Sequence, residues 1–266
     1  MKHHILEKMY HVELVPPKQD SGQLREDLTL FAEKFNRVME SGWCVGLTDN
    51  AMGRLAFQGH EVIEELGLKI SPDQVMIHLS TFHSISSLHE ILDSCLSLGI
   101  RNLLVVSGDG STRLPKLQPG DLGLPEGSAS VTSVELIAYI HARCPGKFII
   151  GAAFNPYEPP EHEFRKLEAK LNAGASFVIT QPIIQKNAVV DELIRTYPDL
   201  PVFVEAWMSK RISLLSEAVG YVIPEDTEFD PVGTLKTLHG LYPGCGFYLS
   251  LLGFKTQYHL VRDTWV

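Results

Sequence analysis

The sequence predicts an α/β fold, a closed (β/α)8 TIM barrel that takes up residues 1–266 as a single domain. Three observations lead there. Short β-rich runs recur eight times, and most are followed by a longer amphipathic segment. Several runs, such as LLVVS at 103–107 and FIIGAA at 148–153, are apolar on successive residues, as in parallel strands covered on both faces. The chain length of 266 also suits a barrel, which commonly takes roughly 250 residues. A doubly wound dinucleotide fold would place G-x-G-x-x-G after its first strand, where this sequence has Val-Pro-Pro-Lys.

Taken in order, strand one covers 9–15, and strands two to eight cover 43–48, 74–80, 102–107, 147–153, 176–180, 201–206 and 245–250. After strand two, D-N-A-M-G-R at 49–54 reads as a helix start with its capping residue. Leu88, Ile91, Leu92, Cys95, Leu96 and Leu98 form the apolar stripe of a helix over 88–98. The stretch 108–130 holds five glycines and three prolines, and an irregular stretch of that length in a compact domain serves as a lid or binding loop. Helices over 133–142 and 164–172 follow strands four and five, the second closed by Gly174 as its C-cap. The segment 221–240 has to supply an extra loop and helix before strand eight.

A net charge of −9 argues against a nucleic-acid-binding surface and against a basic membrane-surface helix. Cys44, Cys95, Cys144 and Cys245 stand far apart with no C-x-x-C pair. They read as small buried apolar residues rather than a zinc or disulfide framework. The start lacks the apolar core of a signal peptide, and no apolar run approaches the roughly 18 residues of a membrane span. The expectation is a cytoplasmic protein without a metal; His3 and His4 make too short a tract to bind one.

A barrel enzyme keeps its chemistry at the C-terminal ends of its strands. Those ends carry Glu13; Thr48, Asp49 and Asn50; His78 and Ser80; Ser107, Gly108 and Asp109; Phe154 and Asn155; Gln181; Glu205 and Trp207; and Tyr248. Glu13 lies in an otherwise apolar V-E-L-V run, where desolvation would raise its pKa and suit it to proton transfer; an ion pair at the rim explains it equally well. Asp109, between glycines, either lets backbone approach a ligand or caps a turn. Gln181 offers an amide for reading a heterocycle edge, or for bonding the next strand. His78, inside an apolar strand, reads first as a satisfied core histidine, and no ligand set joins it with His83 or His89 into a metal site. Lys170, late in its helix, reads as a solvated cation favoured by the helix dipole.

The order of the motifs is more specific than any one of them. V-E-L-V-P-P-K (12–18), T-D-N-A-M-G-R (48–54), H-L-S-T (78–81) and G-I-R-N-L-L-V-V-S-G-D (99–109) come first. A-A-F-N-P (152–156), K-L-N-A-G-A (170–175), F-V-I-T-Q-P (177–182), P-V-F-V-E-A-W (201–207) and V-I-P-E-D (222–226) follow. Together they resemble the methylenetetrahydrofolate reductase family over about residues 9–250, and most of all its branch fused to homocysteine methyltransferases. The resemblance implies a barrel whose mouth binds FAD, which NAD(P)H reduces and which then reduces 5,10-methylenetetrahydrofolate to 5-methyltetrahydrofolate. It implies Glu13 as the general acid and Asp109 between pterin and flavin, with Gln181, Asn50 and Tyr248 toward the folate. Thr48, His78, Ser107, Gly108, Asp109, Phe154, Asn155 and Lys170 fall at positions similar to its flavin contacts. Beyond the folate substrate, a homo-oligomer or a place in a one-carbon-transfer complex is expected.

The sequence also departs from the family. Thr81-Phe82-His83-Ser84-Ile85 stands in place of a polar run after strand three, and Gly108-Asp109-Gly110-Ser111 in place of G-D-P-P. Val131 and Thr132 stand where an aromatic residue is common, and no Tyr-Pro-Glu…His-Pro segment follows strand five. Glu205 takes a position where glycine is usual. These departures leave room for FMN or no flavin. They also leave an alternative function, a folate-binding methyl-transfer or accessory subunit of a one-carbon pathway that lacks a conventional flavin site.

Overall fold

The computed structural model describes residues 4–7 and 9–264, so His3 lies outside the described residues. Eight parallel strands close in chain order: β1 (Tyr10–Leu14), β2 (Cys44–Leu47), β3 (Val75–Leu79), β4 (Asn102–Val105), β5 (Ile149–Phe154), β6 (Ala175–Thr180), β7 (Val202–Trp207) and β8 (Gly246–Ser250). Pairing of Tyr10 with Phe247 and His11 with Tyr248 seals β1 against β8. Every expected strand is present, and the fold is the (β/α)8 barrel that the alternation predicted.

The helices pack outside: α1 (Leu24–Glu40), α2 (Gly59–Glu65), α3 (Ile85–Ser97), α4 (Ser133–Arg143), α5 (Pro160–Ala173), α6 (Ala188–Thr196), α7 (Ile212–Val219), α8 (Pro231–Leu241) and α9 (Tyr258–Thr264). In α3 the expected stripe is the buried face, with Leu88, Ile91, Leu92 and Cys95 inward, and Ser84 caps the helix by accepting from the Ser87 N–H. Thr132 and Glu135 make a reciprocal capping box at the start of α4. Gly174 ends α5 at φ +119, a conformation that L side chains rarely adopt. Helix α8 is the extra element expected before strand eight.

One expected helix is not there. D-N-A-M-G-R forms only a 3-10 turn, Ala51–Gly53, because Asn50 (φ 44) and Met52 (φ 60) are left-handed. The Asp49 carboxylate, the natural cap, is committed to the Ser80 N–H and His83. Helix α2 starts later, behind Gln58.

Strand alternation divides the interior in two. Tyr10, Val12 and Leu14 of β1 join the large core between barrel and helices, whereas His11 and Glu13 face into the barrel. At the N-terminal ends of the strands, a second cluster of Ile5, Met76, Leu104, Phe177 and Phe203 plugs the floor. Phe177 can lie across it because its neighbour in the ladder is Gly151, where a Cβ would stand 2.2 Å from the Phe177 ring. All four cysteines are buried. Among the described residues, no helix is long and apolar enough to cross a membrane, and no group of three or more His, Cys, Asp or Glu is placed to hold a metal ion.

Candidate active site

A cavity of about 470 Å³ opens at the C-terminal ends of the strands. One wall is built by β1, β7 and β8. Glu13, Glu205 and Tyr248 point inward from these neighbouring strands, and Glu205 is in register with Tyr248. The Tyr248 hydroxyl lies 3.3 Å from Glu13 Oε2 and 3.1 Å from His78 Nε2. Gly46, between β1 and β3, leaves the space for this trio: a Cβ there would stand 3.0 Å from the Tyr248 ring and 3.3 Å from His78 Nε2.

The electrostatics of this wall follow from burial without a cation. Desolvation pushes the Glu13 carboxyl up to about 7, against hydrogen bonds from Tyr248 and the Leu251 backbone that favour its charged form. Leu251 adopts φ 57, in the left-handed region that few leucines occupy, just where its N–H supports Glu13. Glu205 is pushed up to about 8, first by burial and then by the charge of Glu13, with a Ser250 hydrogen bond opposing. Burial pushes His78 down to about 4, so its ring is neutral at physiological pH.

The opposite wall is built from loops. Asp49 is its hub. Burial would raise its pKa, but His83 Nε2 at 2.7 Å and the Ser80 N–H at 2.7 Å outweigh that and hold the carboxyl below the usual range. Asn50 donates to Asp49 Oδ1 and accepts from the Ala56 N–H, which fixes the loop. Asp109, exposed at the rim, accepts from the Met52 N–H at 2.8 Å and so ties the loop after β4 to the loop after β2. Gly108 sits beneath it at φ 81, where a Cβ would come 2.5 Å from that of Ser80. Lys170 is buried and donates to the Ala153 carbonyl at 2.6 Å. Burial lowers its pKa, against the neighbouring Glu163 charge. The buried Glu163 accepts from the Asn155 N–H and pairs with Lys166.

Several lining groups are left for a ligand. Thr48 Oγ1 and Trp207 Nε1 are buried with no hydrogen-bond partner among the described residues. The Gln181 side-chain amide also faces the cavity without a protein partner among the described residues, although its backbone N–H is tied to the Phe154 carbonyl.

The sequence profile of the family described as methylenetetrahydrofolate reductase matches residues 2–196, well over half of the chain. The chain belongs to that family. A solved structure from Clostridium thermocellum is similar, with TM-score 0.63 and 12% identity over 97% of this chain and 94% of that one; it is described as an uncharacterized protein that binds two copies of 5-methyl-5,6,7,8-tetrahydrofolic acid. A 2,3-dimethylmalate lyase of the PEP mutase/isocitrate lyase superfamily follows at TM-score 0.50 and 12% identity, over 98% of this chain and 81% of that one. At these identities the likeness is one of fold. Comparison with curated proteins gave no match.

Most of the residues that the family resemblance singled out lie on this one cavity: Glu13, Asp109, Gln181 and Tyr248, together with Thr48, His78, Ser107, Gly108, Asn155 and Lys170. Two do not. Phe154 is fully buried with its ring against Phe164 of α5; the alternation that turns Ala153 and Asn155 toward the mouth turns Phe154 toward the helices. Asn50 braces the Asp49 loop from behind and does not line the cavity. Lys170 departs from its expectation in the other sense, being a buried cation at the mouth and not a solvated one. The Asp49–His83 pair escaped sequence reading because its members are 34 residues apart and no motif spacing joins them.

Proposed function

We propose that this member of the methylenetetrahydrofolate reductase family is a cytoplasmic oxidoreductase that interconverts 5,10-methylenetetrahydrofolate and 5-methyltetrahydrofolate, with FAD at the barrel mouth and NAD(P)H as electron donor. The observation that carries the reading is the convergence of Glu13, Asp109 and Gln181 on one cavity. The volume falls within the roughly 300–1,000 Å³ of small-molecule sites. The folate bound by the Clostridium thermocellum structure supports the substrate class.

Glu13 is the proton donor. Its carboxyl keeps a large protonated fraction at neutral pH, as a general acid requires. With Glu13 protonated, the Tyr248 hydroxyl is free to donate to the neutral His78 ring; once the proton has left, the same hydroxyl turns to the new carboxylate. Transfer of the proton to a nitrogen of the folate imidazolidine ring opens that ring and makes its methylene carbon electrophilic. Gln181 supplies a donor and an acceptor to the pterin edge, and Asp109, held by the Met52 N–H, orients the ring at the rim.

The residues present fit a flavin on the loop-built wall. Thr48 offers its unpartnered hydroxyl, and Ser107, Gly108, Asn155, His78 and the Lys170 cation line the same cavity. When bound there, flavin supplies the hydride for the folate carbon.

Titration of the purified protein with 5-methyltetrahydrofolate and with FAD tests the assignment. Both should bind, and Gln181→Ala should weaken the folate about tenfold through loss of a buried hydrogen-bonding group while FAD affinity is retained. Folate binding without any FAD binding would move the chain to the methyl-transfer or accessory role.

A further inference from the structure

In the reading above, the pterin and imidazolidine rings occupy the mouth, with Glu13 at the imidazolidine. One nitrogen of that ring carries the rest of the folate, a benzoyl group joined to glutamate, whose two carboxylates are charged at neutral pH. This arm starts beside Glu13 and leaves on the side away from Asp109 and Gln181. On the outer side of Glu13 lies a second recess of about 400 Å³, and Glu13 is the residue that lines both it and the main cavity. Its walls are α1, the loop between β7 and α7, and the chain after β8. Asp27, Leu30, Phe31 and Lys34 reach it from α1 at the spacing of one helical face. Val15, Leu30 and Leu251, large apolar side chains that stay exposed, all line it, and apolar surface gathered around one recess marks a ligand groove.

The charges of the recess suit an anion. The protein as a whole carries −9, yet here Lys34 and Arg211 stand against Asp27, which accepts from the Ser21 hydroxyl. Lys34 Nζ lies over the Phe254 ring, 5.8 Å from its centroid. Neither Lys34 nor Arg211 has a carboxylate partner among the described residues. We propose that this recess is the subsite for the benzoyl-glutamate arm of the folate, with the benzoyl ring against Leu30, Phe31 and Leu251 and the carboxylates on Lys34 and Arg211. The proposal rests on the folate reading of the mouth, and it makes Lys34 and Arg211 the residues that distinguish a folate from a pterin without an arm. Each is a cation at the rim, so each contributes a modest share of the affinity rather than all of it.

Calorimetric titration of the full-length protein with two probes tests this. One is 5-methyltetrahydrofolate; the other is 5,6-dimethyltetrahydropterin, which keeps the reduced pterin and lacks the arm. The parent should bind the folate at least about tenfold more tightly than the pterin. Lys34→Gln and Arg211→Gln should each weaken the folate about fivefold and leave the pterin unchanged. Asp27→Asn removes the opposing charge and should strengthen the folate about twofold, a gain that a misfolded variant could not produce. Equal binding of folate and pterin by the parent, or equal losses for both probes in the Lys34 and Arg211 variants, would overturn the subsite and leave the folate reading of the mouth standing. A parent that binds neither probe would remove that reading and the subsite with it.

Discussion

The floor and the mouth of this barrel each hold an inward-facing histidine, and burial pushes both down to about 4. His11, at the floor, spends its Nε2 on the Ile5 carbonyl at 3.1 Å and packs against Phe203 among apolar side chains. His78, at the mouth, meets the Tyr248 hydroxyl, which in turn reaches Glu13. The same perturbation thus marks a plug in one place and a proton network in the other. Perturbed titration identifies a site only when the perturbed group connects to others around open volume. His11 Nδ1 is also unpartnered among the described residues but lies among closed apolar side chains, whereas Thr48, Gln181 and Trp207 present theirs to the open cavity.

Substitutions can break this contrast, and the largest effect should come from Glu13→Gln. Removing the acid should slow folate reduction by roughly 10²–10⁴-fold while reduction of the flavin by NAD(P)H is nearly retained. Stopped-flow measurement of the two half-reactions decides it, and equal loss in both would remove Glu13 from the acid role.

Next comes a pair of glycines. Gly151→Ala at the floor puts a methyl 2.2 Å from the Phe177 ring and should cost about 1–3 kcal/mol of stability by overpacking, read as a lower denaturant midpoint. Gly46→Ala at the mouth meets Tyr248 at 3.0 Å and His78 at 3.3 Å, so its cost should fall on folate reduction, by about tenfold, with under about 1 kcal/mol lost in stability. Similar stability losses in the two variants would erase the distinction between floor and mouth.

The smallest effect sharpens the comparison through pH. Tyr248 donates to the charged form of Glu13 and so lowers its pKa; Tyr248→Phe removes that bond, and Glu13 should hold its proton to higher pH. Since the protonated form is the active acid, the alkaline fall in folate reduction should move up by roughly half a unit. A shift to lower pH would contradict the assigned hydrogen bond.

Much of this was legible in the sequence. Parallel strands buried on both faces leave continuous apolar runs, so all eight could be located, and polar residues interrupting those runs, such as Glu13 and Gln181, could be assigned to the mouth. What stayed hidden depended on direction or on distant partners. Phe154 sits between two residues that face the cavity, and only strand parity turns it outward. Asp49 looks like a cap in sequence because nothing local announces His83 or the Ser80 amide. Lys170 looks solvated at the end of its helix, and its burial against the Ala153 carbonyl is a consequence of how α5 leans on β5.

The measurement that tests the central claim most directly is a visible absorption spectrum of the purified protein before and after addition of FAD. The account predicts a flavin spectrum that bleaches with NADH or NADPH and recovers when 5,10-methylenetetrahydrofolate is added. A protein that stays colourless with FAD in excess, or a reduced flavin that the folate leaves unchanged, would contradict it.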